Sequence, residues 1–170
     1  KPGDSRKKQD SELTAPTVKV HGRVRAANET YQSGVTTSGK LPLPARDIPQ
    51  SLTTVTGQLM QDRGADTMKD ALRNVAGLTF NAGEGGRIGD NITLRGYSAV
   101  GDLYLDNMRD VAQYNRETFN LDRIEVLRGS ASMLYGRGST GGLINQVSKM
   151  PTPGERGTAS LTLGSYGYKR

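Results

Sequence analysis

Only 8 of the 33 Leu, Ile, Val and Phe residues lie in the first 50 positions of this 170-residue chain; the other 25 fall in residues 51–170. A core forms only where apolar side chains are dense enough to offset the entropy lost on ordering the chain. The fold must therefore be sought in the later two thirds. Charge is uneven too, with 9 basic and 5 acidic residues in positions 1–50, so that +4 of the net +6 sits there. The expectation is a flexible N-terminal segment over residues 1–46, followed by a small folded unit over 47–155.

Several classes of protein are excluded by what the chain lacks. No apolar run approaches the roughly 18–20 residues of a membrane-spanning helix. Residues 1–30 carry no signal-peptide stretch, which reads as a mature chain. The absence of Cys rules out disulfides, thiolate metal sites and cysteine nucleophiles. A lone histidine, His21, provides no histidine cluster for a metal and sits poorly for a catalytic triad. Ser5 and Lys8 have the spacing of a serine–lysine pair, but they lie in a polar tail with no pocket to depress a lysine pKa.

The pattern after residue 47 interleaves short strands and short helices. Ser51–Thr56 is a β-branched strand, and 58–63 a short helix closed by Gly64. Residues 67–76 form a second helix, capped by Asp66 or Thr67, with Met68, Ala71, Leu72 and Val75 on one face. Further strands are expected at 78–81, 91–95, 103–105, 123–127 and 143–147, with a turn at Asp106-Asn107, a loop or short helix over 108–120 and a helix at 130–135. Residues 159–163 alternate strictly and are followed by Tyr166 and Tyr168, a pattern shared by ordinary edge strands and by membrane β-barrel strands ending at an aromatic girdle. The fold class is α+β: a small globular unit with a mixed four- to five-stranded sheet and short helices, preceded by a disordered tail.

Two motifs carry chemical weight. Gly136-Arg137-Gly138-Ser139-Thr140-Gly141 is a formal G-x-G-x-x-G, but a dinucleotide site needs a strand before it and a helix after it. Here the order is inverted, and the nucleotide reading is rejected. Leu-Arg-Gly occurs twice at the end of an apolar strand, at Arg95 and at Arg128. Such arginines reach either solvent and local carboxylates or acidic groups on a surrounding protein, where planar bidentate pairing favours Arg over Lys.

Residues 47–80 (DIPQSLTTVTGQLMQDRGADTMKDALRNVAGLTF), 91–97 (NITLRGY) and 122–150 (DRIEVLRGSASMLYGRGSTGGLINQVSKM) resemble the plug domain of TonB-dependent outer-membrane receptors. The similarity covers about 47–150, and 157–170 is similar to the first barrel strand that follows. GEGGRIGDNITLRGY with DLYLDNMRD is most similar to ferric catecholate siderophore receptors. Ser130 stands where the family usually has proline after Arg-Gly. A barrel of about 22 strands at roughly 10 residues each needs hundreds of residues beyond these.

The resemblance implies a division of labour. Pro16, Thr17, Val18, Lys19 and Val20 occupy the place of the TonB box, an extended segment that the periplasmic TonB protein captures by strand pairing. Residues 21–46 become a tether, and 156–170 the start of the barrel. Arg95 and Arg128, with Glu125, are expected to contact the barrel wall. The loops at 82–90, 98–101 and 107–117 become apical, facing the ligand. A ferric tris-catecholate is a trianion with flat rings, so cations and π surfaces are expected to bind it. Arg87, with Gly85 and Gly86 allowing close approach, and Arg109, Gln113, Tyr114 and Arg116 are the candidates, Arg109 and Tyr114 first.

The expected protein is not an enzyme and holds no cofactor or direct metal, since iron enters only within the siderophore. Its expected partners are TonB, its own β-barrel and a ferric siderophore. Its place is the outer membrane of a Gram-negative bacterium, with the N-terminus in the periplasm. Two other readings stay open here: the same family with a hydroxamate siderophore or haem as ligand, and a nucleic-acid-binding module using the basic residues of 1–25. Against the second, Asp4, Asp10 and Glu12 dilute that tail and no aromatic platform accompanies it.

Overall fold

The computed structural model describes residues 31, 34–38, 43–81, 89–136, 140–151, 153 and 165–167. The candidate TonB box at 16–20, the loop bearing Gly85, Gly86 and Arg87, and the alternating segment 159–163 lie outside the described residues. A two-stranded antiparallel pair, β1 (Val35–Thr36) and β2 (Leu43–Pro44), comes first. The main sheet contains β3 (Ser51–Thr56), β7 (Leu103–Leu105), β8 (Met108–Arg109), β9 (Leu121–Arg128) and β10 (Gly142–Ser148). Their order is β3-β9-β10-β7-β8, with β10 and β7 parallel and every other neighbour antiparallel. A second antiparallel sheet joins β4 (Leu78–Phe80), β5 (Ile92–Leu94) and β6 (Tyr97–Ser98).

The five-stranded mixed sheet and short helices match the expected α+β class; the separate β4–β5–β6 sheet and the β1–β2 pair go beyond the single sheet expected, and the other differences are in extent. Strand β9 runs from Leu121 to Arg128 rather than 123–127, because both of its faces are covered and it needs no polar side to define it. Ile124 and Val126, with Val55 and Ile144 beside them, belong to the main core, which is closed by Met60, Met68, Leu72, Ile92 and Leu94. Leu127, Leu143 and Tyr104 face the other way, into a smaller cluster with Ala131, Leu52 and Tyr135.

The helices are short because tertiary contacts end them. Helix α1 (Gly57–Asp62) is capped by the Thr56 hydroxyl, which accepts from Leu59 N at 3.4 Å, and the chain reverses at Gly64 with φ +58°. Helix α2 (Met68–Leu72) is capped by the Thr67 hydroxyl, accepting from Asp70 N at 3.2 Å. It stops four residues before the expected end. The apolar face of Met68, Ala71, Leu72 and Val75 is buried as its spacing requires, yet the chain must turn through Gly77 (φ +75°) to enter β4. A third short helix, α3 (Ser132–Tyr135), precedes the glycine-rich motif.

The last glycine of that motif and the one after it serve the packing of the fold. A Cβ built on Gly141 would lie 2.3 Å from the Leu94 carbonyl oxygen, and one on Gly142 2.1 Å from the Leu127 carbonyl oxygen. The two sheets therefore meet at a spot that admits only backbone. Gly142 also has φ +135°. Gly142→Ala is expected to destabilise the domain by more than about 3 kcal/mol in denaturant unfolding. Gly136→Ala, with nothing within 4 Å of its Cβ, should cost less, about 1–3 kcal/mol, all of it through its glycine-favouring backbone (φ +82°, ψ −155°).

Candidate functional site

The two Leu-Arg-Gly segments converge. Arg95 and Gly96, with φ +53° and +86°, form a two-residue turn between β5 and β6, where Leu94 pairs with Tyr97. Positive φ at both positions is what a type I′ hairpin requires, and such turns normally carry Asn, Asp or Gly. An arginine there is held against its own backbone preference, by about 1–2 kcal/mol. Arg128 ends β9. A Cβ on Gly77 would meet Arg95 Cγ at 3.8 Å and Arg128 Cδ at 3.9 Å, and one on Gly129 would meet Arg95 Nη1 at 3.7 Å. With Ser51, Ala76 and Gly77 the two arginines line a shallow cavity of about 370 Å³.

Arg128 donates to the Thr53 hydroxyl through Nη2, and its Nε is buried with no hydrogen-bond partner among the described residues. No ion pair among the described residues involves Arg95 or Arg128. Among the described residues two like charges share one cleft without a counter-charge, which favours an acidic group brought from elsewhere.

Glu125, grouped with these arginines in the sequence reading, instead points inward and is fully buried. Its carboxylate accepts from Thr37 N at 3.1 Å, Ser38 N at 2.8 Å, the Ser38 hydroxyl at 2.6 Å and Arg123 Nε at 2.7 Å. Residues 35–38 and 43–46, assigned to the flexible segment from sequence, are thus part of the folded unit. Thr36 and Ser38 are buried, and β1 pairs with β2.

The loop after the β7–β8 hairpin gathers the other candidates. Asp106 and Asn107, with φ +49° and +66°, make the expected turn, fixed where Asn107 N donates to Asn145 Oδ1 at 3.0 Å and the Tyr135 hydroxyl to Asn107 Oδ1 at 2.6 Å. Arg109 is exposed, and its Nη2 donates to the Tyr104 hydroxyl at 3.1 Å. Gln113 is exposed, as is Tyr114. Arg116 departs from the expectation for a ligand contact, because its side chain is 2 % exposed and is matched by Asp110 at 2.9 Å and Asp90 at 3.6 Å.

The structural roles of Asp90 and Asn145, which fix this region, are not legible in the sequence. Asp90 lies 26 residues from Arg116, and Asn145 sits on a strand buried on both faces, where no alternation marks it.

Burial pushes the Glu125 carboxyl up, but the bonds from Ser38 and Arg123 outweigh it and hold the group below its ordinary value. A depressed carboxyl contributes stability that is present above its unfolded pKa and is lost as pH falls through the folded value. Amide protection at Thr37 and Ser38, corrected for intrinsic exchange, should therefore fall on acidification below the ordinary glutamate value of 4.5. Glu125→Gln should remove that dependence and cost about 3 kcal/mol in unfolding experiments at neutral pH.

Residues 44–143 match the TonB-dependent Receptor Plug Domain family. The chain is 36% identical over 163 residues, 95% of its length, to the Probable TonB-dependent siderophore receptor PiuA of Acinetobacter baumannii, of which it covers 22%. It is 37% identical over 134 residues, 77% of its length, to the Catecholate siderophore receptor Fiu of Escherichia coli K12, of which it covers 18%. The crystal structure of PiuA superposes with a TM-score of 0.70 at 38% identity, covering 76% of this chain and 18% of that one. The chain thus spans about a fifth of the length of the curated relatives it matches. The family is one of receptors, not enzymes. By the residues matched and the fold they adopt, the chain belongs to the TonB-dependent receptor plug domain family.

Proposed function

We propose that this chain is the plug of a ferric-siderophore receptor in the outer membrane of a Gram-negative bacterium. It fills the lumen of a β-barrel, helps hold the siderophore on its 106–116 side, and offers its N-terminal segment to TonB for energised import. The observation that carries this reading is the Arg95–Arg128 pair, two guanidiniums in one cleft with no carboxylate beside them among the described residues. A barrel wall that presents Asp or Glu at that height supplies the missing charge, and bidentate pairing fixes the plug's rotation as well as its depth. The catecholate ligand rests on likeness to a receptor named for catecholates and on the exposed Arg109, Gln113 and Tyr114, with Arg87 as a further candidate. TonB capture rests on the place of Pro16, Thr17, Val18, Lys19 and Val20 in the sequence. Iron enters only as cargo.

The plug reading is tested in the full-length receptor. Arg95→Glu with Arg128→Glu places two carboxylates against an acidic wall. Conductance of the purified receptor in planar bilayers is expected to rise several-fold as the plug loosens, by the few kcal/mol that like charges cost in a desolvated contact. Unchanged conductance would remove the wall contact. The TonB step has its own test, because proline at a central pairing position removes an amide donor. Val18→Pro should abolish energised uptake while surface binding of the siderophore persists; retained uptake would place the box elsewhere.

A further inference from the structure

We infer that Arg116 is a positioning residue, an internal strut that holds the ligand-facing loop in shape without touching the ligand. The inference rests on the 106–116 side being the ligand side. The guanidinium is enclosed by the loop that carries it. Nη2 donates to Asp110 Oδ2 at 2.9 Å and to Ala112 O at 2.8 Å, Nε donates to Asp110 Oδ2 at 3.1 Å, and Nη1 donates to Tyr114 O at 3.3 Å. Lysine has three donors at a single point and cannot span these acceptors, whereas the planar fork of arginine can.

The strut also joins two loops. Arg116 N donates to Asp90 Oδ2 at 2.9 Å, and Asp90 N returns a bond to Tyr114 O at 3.3 Å. Behind it, Met68 N donates to Arg116 O at 2.8 Å, tying the loop to the first turn of α2. Gly89 permits the contact, since a Cβ there would lie 2.7 Å from Tyr114 N, and its φ is +98°.

What the strut supports is exposed. The Arg116 guanidinium lies 4.2 Å from the centre of the Tyr114 ring, and the Tyr114 hydroxyl donates to Asp110 Oδ2 at 2.9 Å. The ring is thus fixed at its face and at its tip while Tyr114 remains 43 % exposed, against 2 % for the Arg116 side chain. A ligand placed on this loop meets Tyr114, Gln113 and Arg109. The charge of Arg116 is already matched by two carboxylates, so it contributes geometry rather than long-range attraction.

The test separates a strut from a charge contact in the intact receptor, with an iron(III) tris-catecholate made from 2,3-dihydroxybenzoate as probe. A residue that meets an anion directly loses its effect as salt rises, while one that shapes a loop does not. Arg109→Ala should weaken binding and flatten its salt dependence between about 50 and 500 mM. Arg116→Lys keeps the charge, yet should weaken binding by about tenfold with the salt dependence unchanged and raise amide exchange across 110–116. Gly89→Ala, which alters no charge, should reproduce that pattern and guards against misfolding of the Arg116 variant.

Wild-type affinity in Arg116→Lys, or a salt dependence flattened in Arg116→Lys as in Arg109→Ala, would overturn the strut. If the unaltered receptor does not bind the probe, the ligand reading falls. The exchange measurement still decides the strut in that case: looser 110–116 in Arg116→Lys supports it, and unchanged exchange refutes it.

Discussion

Strand β9 is covered on both faces, and it carries a carboxylate at the centre of one of them. Much of the domain follows from accommodating that group. On the face of Ile124 and Val126 the strand needs only apolar cover, which the helices and the second sheet provide. On the other face Glu125 must be satisfied in full, because an unpaired buried charge would cost several kcal/mol. Arg123 supplies one bond from the same strand, and Asp122 balances Arg123 in turn at 2.7 Å. Further bonds come from residues 36, 37 and 38, which draws the chain before β3 onto the sheet.

The register spreads the consequence across the sheet. Thr54, Glu125, Asn145, Tyr104 and Arg109 are successive partners on the five strands, so they form one polar row on a single face. Asn145 fixes the Asp106-Asn107 turn from within that row, and the turn sets where Arg109 and the following loop leave the sheet. The segment held by Glu125 and the proposed ligand-facing loop therefore hang from one set of backbone pairings. A shift of register by one residue would move both at once, besides exchanging the apolar and polar faces of β9.

Local signals in the sequence were read well where local physics decides. Thr67 as a cap, the Met68, Ala71, Leu72 and Val75 face, and the Asp106-Asn107 turn each depend on neighbours within a few residues. The end of α2 was misplaced because the chain leaves the helix to reach β4, a demand that propensity does not encode. The G-x-G-x-x-G segment could be denied a nucleotide from its order alone. The purpose of Gly141 and Gly142 could not be read, since the carbonyls they approach belong to Leu94 and Leu127 on other strands. Glu125 and Arg116 read as outward-facing groups in the sequence for the same reason. Their partners Ser38 and Asp90 lie 87 and 26 residues away, and charge alone does not say which way a side chain turns.

The arginines show how the domain separates its inner chemistry from its outward chemistry. Where a buried guanidinium supports the fold it is accompanied by carboxylates: Arg116 by Asp90 and Asp110, Arg123 by Asp122 and Glu125. Arg95 and Arg128 break the pattern together, in one cleft, with no carboxylate beside them among the described residues. Arg95 also breaks a backbone rule, holding a left-handed conformation that Asn or Gly would adopt with less strain. A position that departs from local preference in both charge pairing and backbone is poorly explained by stability of the domain alone. Both departures have one physical resolution in an acidic surface that completes the cleft, the role proposed here for the barrel wall.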